Sequence, residues 1–243
     1  MTIPSERRDS FLLSNEELDD ELLKMTDHYT EALFSKVNGV SLVFPVSRLV
    51  VDPERFENDA VEPMTRKGMG VLYTKTHDQR VMRLPGATER QALLDQFYHR
   101  HHRALTDLVD AHLDQQGTAL IIDCHSFHSQ PLPYQDATNA SLFPQICIGT
   151  DPFHTPTSLR DALLVAFAEE GFTVGLNHPF AGTITPLKHY QSDRRVQSIM
   201  IEIRRDLYMC EDTGERSPAF TAVRDMLGSL INGHLNSSKG NCA

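Results

Sequence analysis

The segment Ala119-Leu-Ile-Ile-Asp-Cys-His125 constrains this chain more than any other. Its apolar opening, with two β-branched isoleucines, predicts a buried strand over residues 119–122. The run then turns polar at Asp123, His125 and Ser126, ahead of a loop punctuated by Pro131 and Pro133. In open α/β sheets ligands bind just beyond the carboxyl ends of the strands. Asp123 and His125 are therefore expected where an α/β enzyme keeps its chemistry. An imidazole with a carboxylate two residues earlier suits a metal site, the histidine as ligand and the aspartate as ligand or orienter. The same two residues also suit a strand-end histidine hydrogen-bonded to loop backbone.

The rest of the pattern alternates strands with helices. Strands are expected over residues 40–45, 70–74, 144–149, 171–177 and 196–203. Helices are expected over 14–35, opened by a Ser14/Glu17 capping box, then over 88–115, over 158–170 with Thr157 or Ser158 as cap, and over 217–235. No internal repeat and no Ser/Gly/Pro linker divides the chain. This order predicts one α/β domain over residues 1–235, a three-layer sandwich around a mixed, mostly parallel sheet. Residues 136–141 read as a flexible loop and 236–243 as a disordered tail.

Composition excludes several classes of function. A net charge of -10 argues against nucleic acid, whose binders carry a basic surface, but not against a small anionic ligand, which responds to the local field of a pocket. No apolar run approaches the ~18 residues of a membrane span, and the N-terminus has no apolar signal region, so a cytoplasmic protein is expected. Cys124, Cys147, Cys210 and Cys242 form no CxxC pair and read as reduced thiols.

Further polar residues cluster around the expected strands. Arg48, Asp52 and Arg55 follow residues 40–45, and an arginine fork suits a carboxylate clamp; a surface ion pair with Asp52, Glu54 or Glu57 is the alternative. Glu202 is the only charge inside the apolar run 196–203. Because desolvating an unpaired carboxylate is costly, it either turns outward to water or serves at a functional strand end. Residues 177–183 form a loop shaped by Pro179 and Gly182. His99, His101 and His102, interleaved with Arg100 and Arg103, read as a mostly solvated helix face. Together Arg48, Asp52, Arg55, Asp123, His125, Asn177 and Glu202 make an inventory suited to metal-assisted hydrolysis, although spacing alone does not separate that from a binding module.

Five stretches in order carry a resemblance: Thr26-Asp27 with a helix after it; Ser47-Arg48 with Asp52 and Arg55; Asp123-Cys-His-Ser126; Asn177-His-Pro-Phe-Ala-Gly182; and Ile201-Glu-Ile-Arg-Arg205 followed by Leu207-Tyr208. In these the chain resembles the N-formylglutamate amidohydrolase family, a branch of the zinc-carboxypeptidase-like fold. The resemblance implies hydrolysis of an N-acyl amino acid such as N-formyl-L-glutamate, giving L-glutamate and formate. It implies one zinc ion, with His125 and Asp27 as ligands, and Glu202 as the base that activates water and passes its proton to the leaving amine. Arg48 and Arg55 would hold substrate carboxylates, with Asp52 buttressing Arg55. Asn177 and Gly182 would line the substrate pocket, and Arg205 would assist. Members of the family carry a Pro-His-(Ser/Ala)-Gly segment after their first strand. Met1-Thr-Ile-Pro4 resembles the end of that segment, so a zinc-binding histidine is expected upstream of Met1. His128, three residues after His125, is a possible substitute ligand. Two rival readings are an inactive relative that binds acidic amino acids, and a hydrolase of other acidic N-acyl amides or small peptides.

Overall fold

The structure, a computed structural model, describes residues 2–135 and 143–237. The loop predicted at 136–141, and the tail predicted at 236–243 apart from the end of the last helix, lie outside the described residues. The chain folds into two compact units, one of Met1–Thr26, Leu42–Leu105 and Pro131–Ala140, the other of Asp27–Ser41, Thr106–Gln130 and Ser141–Ala243.

The first unit opens with helix α1, Asn15–Met25, and its capping box is formed as predicted: the Ser14 side chain accepts from the Glu17 N–H, and the Glu17 carboxylate accepts from the Ser14 N–H. The two strands predicted for this unit do not form. Residues 40–45 leave Val40 72% and Val43 42% exposed, and among the described residues the only pairing nearby is an isolated parallel bridge from Val46 to Thr2. A strand needs a continuous partner, and Pro45 removes a donor from this one. Residues 70–74 are buried but held by turns, with single bridges from Met69 to Tyr73 and from Lys75 to Val81. Their backbone is satisfied partly by Arg83, 1% exposed, which donates to the Tyr73 and Val50 carbonyls. A buried side chain thus supplies hydrogen bonds that a ladder would otherwise make. The core around it includes Phe11, Leu18, Met25, Leu49, Val51, Met69, Tyr73, Met82, Leu93 and Tyr98.

The helix predicted over 88–115 forms as α3, Ala87–Leu93, a π-helical turn, Leu94–Tyr98, and α4, His99–Gln116. It ends where expected, at Gly117 in the left-handed conformation (φ 76°), whose N–H bonds the Leu113 carbonyl. Its histidines are engaged locally. His102 donates from Nε2 to the Pro53 carbonyl, His99 faces Glu57 and Asp95, and His101 meets the Phe44 ring edge-on.

The second unit holds a four-stranded sheet in the order β1-β4-β2-β3, from Ala119–Phe127 (β1), Ile146–Gly149 (β2), Val174–Leu176 (β3) and Val196–Arg204 (β4). β1 with β4 and β2 with β3 are parallel, while β2 with β4 is antiparallel. The α/β class with a mixed, mostly parallel sheet is therefore as predicted. Helix α5, Thr157–Glu169, packs on β2 and β3; α2, Thr30–Leu33, packs on β1; both touch the closing helix α6, Phe220–Ser237. Pro156 caps α5 without a side-chain hydrogen bond, in place of Thr157 or Ser158, because its fixed φ leads directly into the first turn. No helix among the described residues is long and apolar enough to cross a membrane.

The single helix predicted over 14–35 is two helices. α1 ends at Met25, and Tyr29 takes the left-handed conformation (φ 64°) before α2. The cause lies far along the chain: the Asp27 side chain accepts the Ser126 N–H at 3.2 Å, and the Tyr29 hydroxyl bonds the Gly214 carbonyl at 2.7 Å.

In the first unit the hydrogen bond that the His99 ring donates to the Glu57 carboxylate raises the pKa of His99 above its ordinary 6.5. A raised folded value makes this tie stabilising below the unfolded pKa, and the contribution fades as pH rises through the folded one. An NMR titration of the His99 imidazole is expected to give a midpoint above 6.5 that falls back toward it in Glu57→Gln; identical midpoints would rule the tie out.

Candidate active site

The predicted site residues divide between the two units. In the second, β1 runs on to Phe127, so Asp123 and His125 are inside the strand and not beyond its end, a correction to the predicted boundary. The apolar run stops at Ile122, but the β4 ladder continues: Asp123 pairs with Met200, His125 with Glu202, and Phe127 with Arg204. On its other side Glu202 is level with Cys147 of β2. Laterally paired residues present their side chains on the same face of a sheet, about 5 Å apart. His125, Glu202 and Cys147 thus form a row across three strands. Of the two outcomes weighed for Glu202, exposure to water does not occur, since the residue is only 6% exposed.

His125 is held at both nitrogens. Nε2 is 2.8 Å from Asp123 Oδ1, and Nδ1 is 3.5 Å from Asp27 Oδ2. Burial opposes a charge on the ring, but the two carboxylates outweigh it and hold the pKa well above the usual histidine range. Asp123 is itself fixed, because its Oδ2 accepts the Ile184 N–H at 2.9 Å. Asp27 Oδ1 takes the Ser126 N–H and faces the buried Arg205 guanidinium at 4.0 Å. Arg205 also donates to the Ser126 hydroxyl and carbonyl, each at 3.3 Å. One network therefore links Asp27, His125, Ser126 and Arg205. Burial pushes the neighbouring Cys124 and Cys147 thiols up to about 12, which keeps both protonated and poor nucleophiles.

The distances around His125 suit a metal ligand. Two ligand atoms of a tetrahedral ion with bonds of ~2.0–2.1 Å lie about 3.4 Å apart. Nδ1 and Asp27 Oδ2 match that separation and are too far apart for a good hydrogen bond. The shorter Nε2 contact to Asp123 has the geometry of the carboxylate that orients a ligating histidine. His125 and Asp27 could therefore hold a divalent ion, with Asp123 behind them. His128 is spoken for: Nδ1 meets the Gln130 carbonyl and Nε2 faces Glu211 at 3.6 Å.

Asn177 and Gly182 shape the loop after β3. Asn177 is in the left-handed conformation (φ 53°), and its amide bonds the Thr150 N–H and hydroxyl at the end of β2. Gly182 has φ 95°, and its carbonyl lies where a Cβ on Gly149 would come within 2.5 Å of it. The Phe180 carbonyl accepts from the Cys147 thiol at 3.2 Å. The loop is thus pressed onto β2.

In the first unit Arg48, Asp52 and Arg55 lie in turns, not on a strand exit. Asp52 is buried and accepts the Glu54 N–H at 2.9 Å and the Tyr73 hydroxyl at 2.9 Å, while Arg55 Nε is 3.6 Å away. Tyr73 and Tyr98, whose hydroxyl bonds the Arg55 carbonyl at 2.8 Å, belong to this cluster and were missed in the sequence, where each reads as an ordinary core aromatic. Two surface grooves of about 330 Å³ lie elsewhere, one along Leu42, Phe97 and His101, the other along Asp110, His189 and Arg195.

The second unit thus joins a mixed-sheet α/β fold to a buried histidine between two carboxylates, with a glutamate on the adjoining strand. The sequence profile described as "N-formylglutamate amidohydrolase" matches residues 2–209. This chain belongs to the N-formylglutamate amidohydrolase family. It is 26% identical over 224 residues, covering 85% of this chain and 81% of the relative, to an N-formylglutamate deformylase of Pseudomonas aeruginosa. Its fold matches a crystal structure of N-formylglutamate amidohydrolase from Ralstonia eutropha JMP134 with a TM-score of 0.80 at 21% identity, covering 99% of this chain and 91% of that one. It also matches a gene product of Agrobacterium tumefaciens with a TM-score of 0.66 at 20% identity, covering 98% and 87% of the two chains.

Removing one member of a buried ion pair leaves the other charge uncompensated. Arg205→Met is therefore expected to lower unfolding stability by about 3 kcal/mol, measured by denaturant titration. A change within about 0.5 kcal/mol, the range for a surface substitution, would deny Arg205 this role.

Proposed function

We propose that this chain hydrolyses an N-acyl amino acid of the N-formyl-L-glutamate type to L-glutamate and formate, and that it is a zinc enzyme. The observation that carries this reading is the pairing of His125 with Glu202 on adjacent strands, an imidazole and a carboxylate side by side on one face. Family membership supports the reaction, and the name of the Pseudomonas aeruginosa relative supports the substrate. His125 and Asp27 would hold the ion, and Asp123 would keep the imidazole turned toward it. Bound there, zinc would supply Lewis acidity and make a water easier to deprotonate.

The remaining steps belong to side chains. Glu202 accepts a proton from the attacking water as its oxygen bonds to the formyl carbon. It then returns that proton to the amide nitrogen as the C–N bond breaks, releasing formate and the amino group of glutamate. Neighbouring buried groups keep bulk water from competing for that proton. Arg48 and Arg55 bind substrate carboxylates, with Asp52 aligning Arg55. Asn177 and Gly182 set the shape of the loop over β2, and Arg205 steadies Asp27. The physiological substrate is a small acidic molecule.

Glu202→Gln is expected to lower formate release from N-formyl-L-glutamate by at least ~100-fold in the zinc-loaded protein while leaving the thermal midpoint in place; unchanged turnover would reject Glu202 as the base. Asp123→Asn is expected to weaken zinc binding about 10–100-fold, read by competition with a chelating dye. Comparison of N-formyl-L-glutamate, N-acetyl-L-glutamate and N-formyl-L-aspartate rates separates this reading from a hydrolase of other acidic amides.

A further inference from the structure

We propose that Tyr73 is a positioning residue that tunes how tightly Arg55 holds a substrate carboxylate, by occupying the Asp52 oxygen that faces Arg55. The identity of that carboxylate rests on the hydrolase reading above; the geometry does not.

Asp52 Oδ1 accepts the Glu54 N–H, and Oδ2 accepts the Tyr73 hydroxyl at 2.9 Å. Oδ2 is also the oxygen nearest Arg55, yet the gap to Nε is 3.6 Å. Arg55 Nε is buried and has no hydrogen-bond partner among the described residues. Asp52 therefore aligns the guanidinium without closing on it. A buried carboxylate and a partly buried guanidinium this near would ordinarily shorten to a hydrogen-bonded pair. The phenol, bonded to that same oxygen, holds the carboxylate turned so that Oδ2 stops short of Nε, and the Arg55 Nε–H stays available to a ligand.

The surroundings stop this arrangement from relaxing. Arg83 donates to the Tyr73 carbonyl at 3.3 Å and to the Val50 carbonyl at 3.0 Å, which clamps the backbone on both sides of the contact. The Tyr98 hydroxyl holds the Arg55 carbonyl, and His102 holds the Pro53 carbonyl at 3.0 Å. Burial and the Asp52 charge push the Tyr73 hydroxyl above its ordinary pKa, so it stays a donor. Rigid, prealigned donors bind a carboxylate with less ordering cost than mobile ones.

The test is Tyr73→Phe in the full, zinc-loaded chain. Without the hydroxyl, Asp52 is expected to close on Arg55 and compete with the ligand. KM for N-formyl-L-glutamate should rise about tenfold while kcat stays within about twofold, and calorimetric affinity for the product L-glutamate should fall by the same factor as KM. An unchanged KM and affinity, or a fall in kcat alone, would overturn the proposal. If the unsubstituted protein binds L-glutamate but releases no formate, the hydrolase reading fails and calorimetry still decides the role of Tyr73. If it binds no L-glutamate, both fail. Should Tyr73→Phe not fold, 3-fluorotyrosine placed at position 73 keeps the ring and is a stronger donor. KM should then fall about twofold, and no change would count against Tyr73.

Discussion

The parallel pairing of β1 with β4 brings His125 level with Glu202, and the antiparallel pairing of β4 with β2 brings Cys147 level with the same carboxylate. The chemistry of the second unit depends on that register. Side chains alternate along a strand, so a slip of one residue would send Glu202 to the opposite face and pair Ile201 or Ile203 with the histidine. The apolar run from Val196 to Ile203 holds the register, because Val196, Ile199, Ile201 and Ile203 are all buried. Burial of the core thus locks one carboxylate where desolvation is otherwise costly.

Asp27 has the same logic. It follows the end of α1 and is buried, so its charge must be compensated: it accepts the Ser126 N–H and lies against the His125 ring and the Arg205 guanidinium. Those donors come from β1 and from the turn after β4. The helical pattern of residues 14–35 yields at this point, since a satisfied buried carboxylate outweighs a few residues of helix propensity. A break in a helix here is the local cost of assembling a charged network.

Two arginines organise the first unit, Arg83 fully buried and Arg55 partly so. Arg83 substitutes for strand pairing by bonding carbonyls, and Arg55 is held by Asp52 at a distance longer than a hydrogen bond. Such arrangements are invisible to hydrophobic periodicity. The residues at 70–74 look like a strand because they are apolar and β-branched, and they are buried as a strand would be. Their backbone partners are a side chain and turns, which composition does not encode.

Legibility followed the range of the interactions. The capping box at Ser14 and Glu17 and the stop at Gly117 rest on contacts within a few residues, the strands around Ile121, Ile148 and Ile199 show as short apolar runs, and the sequence alone determined these. It also marked Glu202 and His125 as out of place among apolar neighbours, and the five short motifs named the family. Only the tertiary structure decided which residues meet: that Asp27 breaks a helix to reach Ser126, that Ile184 holds Asp123, that Tyr73 caps Asp52, and that residues 40–45 pair with no strand among the described residues. The physical reason is that hydrogen bonds between groups dozens of residues apart leave no periodic trace, while the burial that makes them necessary exists only once the chain has folded.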